Sequence, residues 1–335
     1  MIDGPVTVLG GGTGTPKLLT AVEADATPPD LTVVANTGDD VEFGDLFVCP
    51  DVDSCLFAAA GLLDDERWWG IADDTEATAR QLADLAADLG LDGTPAYRPA
   101  PAQTAGRRLS RWRRFEPLPE FMTLGDRDRA IHRVRAHLLD RGLDLTAVTR
   151  RLAAALGVGP DVVPMSDDPV ATIVSTDEGP MHFQAFWVAR GGDPAVEGVD
   201  FRGLESAAPS PAVLDALDGG VAVVGPSNPV TSLGPILGLP GVRERLHELP
   251  TVAVSPFLGE AAFSGPAVEL MAALDLPVGT PGLEAAYPFV DAVVLDASDP
   301  TELDVPTLRG DIRIDGPDDA ARVWGLVEAA LEAVA

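Results

Sequence analysis

The chain has 335 residues, 46% of them hydrophobic, and it holds no apolar run of the roughly 20 residues that a membrane span needs. Its net charge is −30, from 53 acidic and 23 basic residues, and the acidic residues are scattered along the whole chain. An acidic surface could bind basic partners, but the scatter favours the surface of a halophilic protein that stays soluble in concentrated salt. The charge argues against nucleic acid as a partner, because such a face would need a basic patch. The N-terminus has no basic region before its apolar stretch, so we expect a cytoplasmic protein without a membrane partner.

Strand-like runs alternate with helical segments along most of the chain. Most of these runs are continuously apolar, as strands buried on both faces should be. The alternation predicts an α/β protein with a Rossmann-like, three-layer α/β/α core and a mainly parallel sheet. A further strand is predicted at 183–190, in a hairpin with 171–176. The six main runs are 6–10, 31–36, 171–176, 221–225, 251–256 and 291–296.

The region 62–160 interrupts this alternation. Its amphipathic segments end at Gly90, Gly142 and Gly157, and glycine is common just after the last residue of a helix. We therefore predict a mainly helical insertion in a Rossmann-like α/β core that consists of residues 1–61 and 161–335.

A stretch within the insertion, 94–121, is rich in proline and arginine, with five arginines between positions 107 and 114. It is either a solvated loop that pairs with nearby acidic residues or a lid that meets substrate phosphates.

The first strand runs into a glycine-rich loop, GGGTGTPK at 10–17. A Walker A loop would end in Gly-Lys-Ser/Thr, and a dinucleotide fingerprint would have glycine or alanine in place of Thr15. The loop matches neither motif. Its glycines still let backbone N–H groups approach an anion, and Pro16 suits the first turn of a helix. The loop therefore predicts an anion site, beside Lys17, the single lysine of the chain.

Acidic residues follow the second strand, at the edge where ligands bind in open α/β sheets. Carboxylates beside a phosphate loop are what Mg²⁺ bridging diphosphate oxygens requires. An acidic residue here could instead bind a ribose hydroxyl, as in dehydrogenases. The polar residues of this stretch are Asn36, Thr37, Asp39, Asp40, Asp45, Asp51 and Asp53.

Small polar residues follow later strands as well. Ser227, Asn228, Thr231 and Ser232 could donate hydrogen bonds to a phosphate or a base. Ser166 and Asp167 precede the run at 171–176 and are either turn formers or site residues.

Four scattered histidines give no Ser-His-Asp constellation, and His132 and His137 lie on an amphipathic helix where a structural or solvated role is expected. The two cysteines, Cys49 and Cys55, are expected to be buried thiols. Positioning with metal electrostatics is therefore favoured over covalent catalysis.

Nine motifs, in order, resemble the 2-phospho-L-lactate transferase family of coenzyme F420 biosynthesis. The likeness runs from about residue 6 to about residue 280. The motifs are GGGTGTPKLL, NTGDD, PDVDS, RWWGI, TLGDRDRA, PMSDDPV, GPMHFQAFWV, GPSNPVTSLGPIL and VSPFLG.

The resemblance implies a specific reaction. The family transfers a phospholactyl group from lactyl-2-diphospho-5′-guanosine, or an enolpyruvyl analogue, to the terminal ribityl hydroxyl of the deazaflavin Fo (7,8-didemethyl-8-hydroxy-5-deazariboflavin). The products are F420-0 and GMP, and Mg²⁺ is required. A homodimer would be ordinary for such a protein.

The resemblance also implies roles for individual residues. The expected catalytic residues are Asp39, Asp40 and Asp53, of which Asp40 and Asp53 are the expected Mg²⁺ ligands. Fo is expected to contact Asp53, Thr123, Asn36, Thr37 and Pro16. The donor and its phosphates are expected at Gly11, Gly12, Thr13, Gly14, Ser227, Asn228, Pro229, Ser166 and Asp167.

The chain departs from the family pattern at Thr123, where members often carry Lys or Arg as an Fo contact. Either that contact is lost or an arginine from 107–114 replaces it.

Two other classes remain open. A non-catalytic nucleotide-sugar-binding regulator of the gluconeogenesis-factor type would share the fold and the glycine loop, but would not be expected to carry RWWGI, LGDRD and MSDDPV. A dinucleotide-dependent oxidoreductase is disfavoured by Thr15 and by the lack of a plausible acid for hydride transfer. The choice of donor depends on pocket shape and is left open by the sequence.

Overall fold

The computed structural model describes residues 4–28, 30–97 and 110–334, apart from the side chains of residues 110 and 111. Its strands are β1 (Val6–Gly10), β2 (Leu31–Ala35), β3 (Val41–Phe43), β4 (Leu46–Val48), β5 (Arg114–Phe115), β6 (Asp161–Pro164), β7 (Ala171–Thr176), β8 (Gly179–His182), β9 (Val196–Arg202), β10 (Val221–Val224), β11 (Thr251–Val254), β12 (Phe257–Leu258), β13 (Ala261–Ala262), β14 (Ala292–Asp296) and β15 (Thr307–Gly310).

The helices connect these strands. They are α1 (Gly14–Leu19), α2 (Pro50–Ala59), α3 (Ala77–Leu89), α4 (Ser110–Arg113), α5 (Asp126–Asp140), α6 (Leu145–Leu156), α7 (Pro211–Ala216), α8 (Gly234–Leu237), α9 (Val242–Leu246), α10 (Ala267–Ala273), α11 (Leu283–Ala286) and α12 (Pro317–Val334). Short 3₁₀ segments occupy Thr20–Val22, Leu204–Ser206 and Thr280–Gly282.

Seven parallel strands form the central sheet, in the order β15-β14-β11-β10-β1-β2-β6. Apolar side chains cover both faces: one core cluster includes Leu18, Leu56 and Trp324, and the other includes Phe186 and Ile236. Helices therefore pack on both sides of the sheet, which confirms the three-layer α/β/α fold.

Two predicted strands differ from the structure. Residues 171–176 do form a strand, but β7 pairs antiparallel with β8 and β9 in a separate sheet, and β6 takes the edge position beside β2 in the central sheet. The predicted strand at 183–190 is wrong, because Ala185–Ala189 is a π-helical turn. Phe183 and Phe186, three residues apart, are both buried there, a helical spacing that strand alternation would not allow.

The predicted helices of the 62–160 region are present, and glycines end them. Gly90 and Gly157 adopt left-handed φ values of 65° and 75° directly after α3 and α6, and Gly142 has a φ of 88° after α5. Helix α6 also packs Val148 into the core cluster on one face of the sheet. The division into a core of 1–61 and 161–335 with an insertion stays a prediction.

The arginine-rich stretch is described in part. Arg107 and Arg108 lie outside the described residues, whereas Arg113 and Arg114 end α4 and begin β5, which pairs with β3. In the portion that the structure describes, no helix combines the length and the apolar character needed to cross a membrane.

Candidate active site

A cavity of about 470 Å³ opens at the carboxyl edge of the central sheet. It lies where the chain order reverses: the connection after β1 leads to β2 on one side, and the connection after β10 leads to β11 on the other. Ligands in open α/β sheets bind at such a switch point. Gly12–Gly14, which follow β1, and Ser227, which follows β10, both line the cavity.

The glycine loop packs directly against the loop after β10. A Cβ atom on Gly14 would overlap the carbonyl oxygen of Pro226, so this position requires glycine for close approach. Ser227 Oγ donates to the Gly11 carbonyl at 2.6 Å and accepts from the Gly11 N–H at 3.1 Å, and it lies 2.8 Å from Thr15 Oγ1. The Ser227 hydroxyl therefore holds the two loops together, and this use leaves it little capacity to bind a ligand.

Four buried aspartates lie beside the glycine loop: Asp39, Asp40, Asp51 and Asp53. Burial raises the pKa of Asp39 well above its usual range, and the neighbouring Asp51 and Asp40 carboxylates raise it further. Burial raises the pKa of Asp51 to about 6, although the Asn36 amide opposes the shift. Burial likewise raises the pKa of Asp40 to about 7 against the opposing charge of Arg113. Burial thus disfavours the charged forms of these three carboxyls, and added positive charge would favour their ionisation.

Arginines compensate two of these four aspartates. Arg113 donates to Asp40 Oδ2 at 3.2 Å. Arg135 forms a two-pronged ion pair with Asp53, in which Nη1 donates to Oδ2 at 3.0 Å and Nη2 donates to Oδ1. Asp39 and Asp51 have no such partner within the part of the chain that the structure describes, and they line the cavity. Asp51 is held instead by Asn36, whose Nδ2 donates to its Oδ2 at 3.0 Å.

This difference decides which carboxylates suit a cation. Across the described residues, no group of three or more His, Cys, Asp or Glu side chains is placed to hold a metal ion. Mg²⁺ usually takes one or two protein carboxylates and completes its shell with water and substrate phosphates. Asp39 and Asp51 fit that role, because Asp39 Oδ1 is buried without a hydrogen-bond partner and neither residue has an arginine. Asp53 fits it poorly, since both of its oxygens already face Arg135.

Aromatic side chains also line the cavity. Phe57, Trp68 and Phe183 line it, and Trp69 and Trp187 are exposed at its edge. Apart from Phe57, these positions lie in the RWWGI and GPMHFQAFWV motifs, but the sequence offered no role for them. Large planar walls are suited to stacking heteroaromatic rings.

Lys17 lies in the cavity wall rather than against the glycine loop alone. Its Nζ is 4.3 Å from the centroid of the Trp68 ring. Burial lowers the pKa of Lys17, and the Asp315 carboxylate partly offsets that effect. Asp315 also lines the cavity, from the segment between β15 and α12.

The structure brings many of the predicted site residues to this cavity. Its walls include Gly12, Thr13, Gly14, Asp39, Asp53, Thr123, Ser227 and Asn228. Others are buried and are not among the lining residues: Gly11, Pro16, Asn36, Thr37, Asp40 and Pro229.

Ser166 and Asp167 do not line the cavity. Ser166 Oγ donates to the Ala208 carbonyl at 2.6 Å and accepts from the Asp168 N–H at 3.0 Å. Asp167 Oδ1 accepts from the Thr146 N–H at 2.7 Å, in the first turn of α6. These contacts favour the turn-forming alternative for both residues.

Comparison with known proteins gives a consistent result. The family described as 2-phospho-L-lactate transferase CofD matches residues 6–313. The 2-phospho-L-lactate transferase of Haloarcula marismortui is 56% identical over 330 residues, covering 98% of this chain and 100% of the relative. That of Halobacterium salinarum is 55% identical over 318 residues, covering 95% of each chain. That of Methanosarcina mazei is 40% identical over 294 residues, covering 87% of each chain.

A solved structure supports the fold alone. A UPF0052 family protein from Bacillus halodurans superposes with a TM-score of 0.59 at 17% identity and covers 99% of each chain. The two halophile relatives confirm the interpretation of the acidic surface, and the matches confirm the expected resemblance. The chain is a transferase and belongs to the 2-phospho-L-lactate transferase CofD family.

Proposed function

We propose that this protein transfers the phospholactyl group of lactyl-2-diphospho-5′-guanosine, or of an enolpyruvyl analogue, to the terminal ribityl hydroxyl of Fo, and releases GMP. One observation supports this more than any other. The uncompensated carboxylates of Asp39 and Asp51 line a cavity that also contains the glycine loop. The cation of a bound diphosphate would compensate the charge of the two carboxylates, and the diphosphate itself would be the anion that the glycine loop binds.

The donor's diphosphate is proposed to bind at Gly12–Gly14, with Asn228 beside it. Backbone N–H groups of glycines can approach phosphate oxygens because no Cβ atom intervenes. Lys17 follows one helical turn later and adds positive charge to this end of the cavity.

Asp39 and Asp51 are proposed to hold Mg²⁺, in place of the pair Asp40 and Asp53. Mg²⁺ would neutralise the diphosphate and so favour departure of GMP. Arg113 and Arg135 already neutralise Asp40 and Asp53, and we propose that these two aspartates keep the cluster in place.

The reaction is proposed to be an in-line displacement. The ribityl hydroxyl oxygen of Fo bonds to the phosphorus next to lactate, while the bond from that phosphorus to the oxygen bridging to GMP breaks. The hydroxyl proton leaves at the same time, and one carboxylate of the aspartate cluster is proposed to accept it.

The test uses Fo, Mg²⁺ and each guanosine diphosphate donor in high salt, with the deazaflavin product followed by mass and GMP by chromatography. We expect GMP release that depends on Fo. Asp39→Asn should lower kcat about 10²-fold or more, as loss of one electrostatic group commonly does. Asp45→Asn, at an exposed aspartate of the same segment, is the matched control.

A regulator of the gluconeogenesis-factor type would give the opposite result. It would bind a nucleotide sugar and release no GMP when Fo is added. We also propose that the protein is cytoplasmic and forms a homodimer. Analytical ultracentrifugation measures the oligomeric state.

A further inference from the structure

One wall of the cavity has a set of polar atoms to which the proposed reaction gives no role. Asp128 and His132 line the cavity from α5, four residues apart on one helix face, and both are buried. The sequence suggested a structural or solvated role for His132. The structure places it in the wall, next to Asp53.

Arg135 determines how His132 is oriented. Its Nη1 lies 3.2 Å from His132 Nδ1 and also donates to the Phe47 carbonyl at 3.0 Å. A guanidinium nitrogen only donates, so this contact favours the tautomer in which Nδ1 accepts and the ring proton is on Nε2, on the side of Asp128. Arg135 is itself fully buried, and its bidentate pair with Asp53 keeps it in place.

The Nε2 atom and Asp128 form an incomplete pair. They lie 2.9 Å apart, but they are not aligned for a hydrogen bond, and both Nε2 and Asp128 Oδ1 are buried without a hydrogen-bond partner in the described portion of the chain. One atom donates and the other accepts. A hydroxyl group does both, so a single hydroxyl of a ligand would satisfy the two atoms together.

We propose that Asp128 and His132 form a hydroxyl-binding site for the polyol side chain of the deazaflavin acceptor, with Arg135 as the positioning residue that fixes the His132 ring. This inference rests on the proposed function and assigns the acceptor to one wall.

The charge of this wall supports the choice of ligand. Asp128 presents a carboxylate for which the described residues supply no arginine partner, and such a group repels the diphosphate of the donor and accepts hydrogen bonds from uncharged hydroxyls. The donor's phosphates are proposed to bind at the glycine loop, which follows β1, whereas Asp128 and His132 lie on α5. The acceptor's polyol chain is the remaining ligand group with several hydroxyls and no charge.

The test compares two probes in direct binding measurements, Fo and a deazaflavin of the same ring system with a plain alkyl side chain. For Asp128→Ala and His132→Leu, we expect the Kd for Fo to rise roughly tenfold or more, as for a lost hydrogen bond to a charged group. The Kd for the alkyl analogue should change less than about twofold, because it offers no hydroxyl. The Kd for GDP should stay the same in both variants.

Three further variants separate positioning from folding. His132→Gln keeps an amide donor near the Nε2 position and should recover part of the Fo affinity. Arg135→Lys keeps the buried charge and should weaken Fo more than the alkyl analogue. Arg133→Ala, at an exposed arginine of the same helix, should bind both probes like the wild type.

Equal weakening of Fo and the alkyl analogue would overturn the inference, as would a loss of GDP affinity in Asp128→Ala. Failure of the proposed function has a different signature, because the wild-type protein would then bind neither deazaflavin.

Discussion

Gly11 and Asp51 lie so close together that a Cβ atom on Gly11 would overlap the Asp51 carboxylate. The φ angle of Gly11 is not in the left-handed region, so the need for glycine here is steric rather than conformational. The loop proposed to bind phosphate and the carboxylate proposed to hold Mg²⁺ are therefore one packed unit.

Gly11→Ala is expected to displace Asp51 and abolish most donor binding, and to lower the free energy of unfolding by about 1–3 kcal/mol, as overpacking commonly does. Calorimetric titration with GDP and urea denaturation measure the two effects. Gly159→Ala is the matched control, because a Cβ atom there meets nothing within 4 Å. Wild-type GDP affinity in Gly11→Ala would show that Asp51 has no part in the donor site.

Asp51 should make stability depend on pH. Its pKa is raised to about 6 in the folded state, so the folded protein binds the proton more tightly than the unfolded chain does. Stability is therefore lost as pH rises from about 4 to about 6, and the penalty is fully present above that range. We expect Asp51→Asn to be more stable than the wild type by about 3 kcal/mol at pH 8 and by less at pH 5. An equal gain at both pH values, measured by urea denaturation without Mg²⁺, would contradict this origin.

Mg²⁺ should raise the Tm of the wild-type protein at pH 8 in a constant concentration of KCl, because a bound cation removes the repulsion between Asp39 and Asp51. Asp39→Asn and Asp51→Asn should lose this response, and chelation should reverse it in the wild type. Asp45→Asn should keep it. A response that survives in both Asn variants but disappears in Asp40→Asn and Asp53→Asn would favour the assignment made from sequence.

Arg113→Met should lower the free energy of unfolding by about 3–5 kcal/mol, because it leaves the buried Asp40 carboxylate without a counter-charge. The double variant with Asp40→Asn should recover most of that loss. Arg114→Met removes the partly exposed pair with Glu42 and should cost at most about 1 kcal/mol. If the two single variants lose similar amounts of unfolding free energy, burial does not make the Arg113–Asp40 pair more important for stability than the Arg114–Glu42 pair.

Lower salt should destabilise the protein. Its net charge of −30 produces repulsion that concentrated salt screens, with a Debye length of about 3 Å at 1 M and about 10 Å at 0.1 M. We expect the Tm to fall steadily as KCl is reduced across that range. A Tm that does not change with KCl would mean that the acidic surface is not adapted to salt.

The sequence predicted the parts of this molecule that depend on neighbouring residues. The strand at 6–10, the glycine loop and the carboxylates after β2 are contiguous stretches, and apolar runs with glycine punctuation are local signals. The fold class followed from the alternation of these runs. The helix ends at Gly90 and Gly157 followed for the same reason.

Pairings between distant parts of the chain were not predictable in this way. Arg113 reaches Asp40 from 73 positions away, and Arg135 reaches Asp53 from 82 positions away. No local pattern shows which of several aspartates an arginine will neutralise. The displacement of 171–176 from the central sheet has the same cause, because an apolar strand does not reveal its partner.

The position of β1 in the sheet has a consequence for synthesis of the protein. Val6 pairs with Leu31 on one side but with Val221 on the other, and Trp324 Nε1 donates to the Leu18 carbonyl at 3.1 Å. Strand β1 can pair with β2 early, but it pairs with β10 only after the long intervening chain has been made, and contacts this far apart in sequence form slowly. The segment that contains Asp315 completes the cavity. A nascent chain therefore completes the cavity only after the segment that contains Asp315 has been made, and shorter chains lack part of its wall.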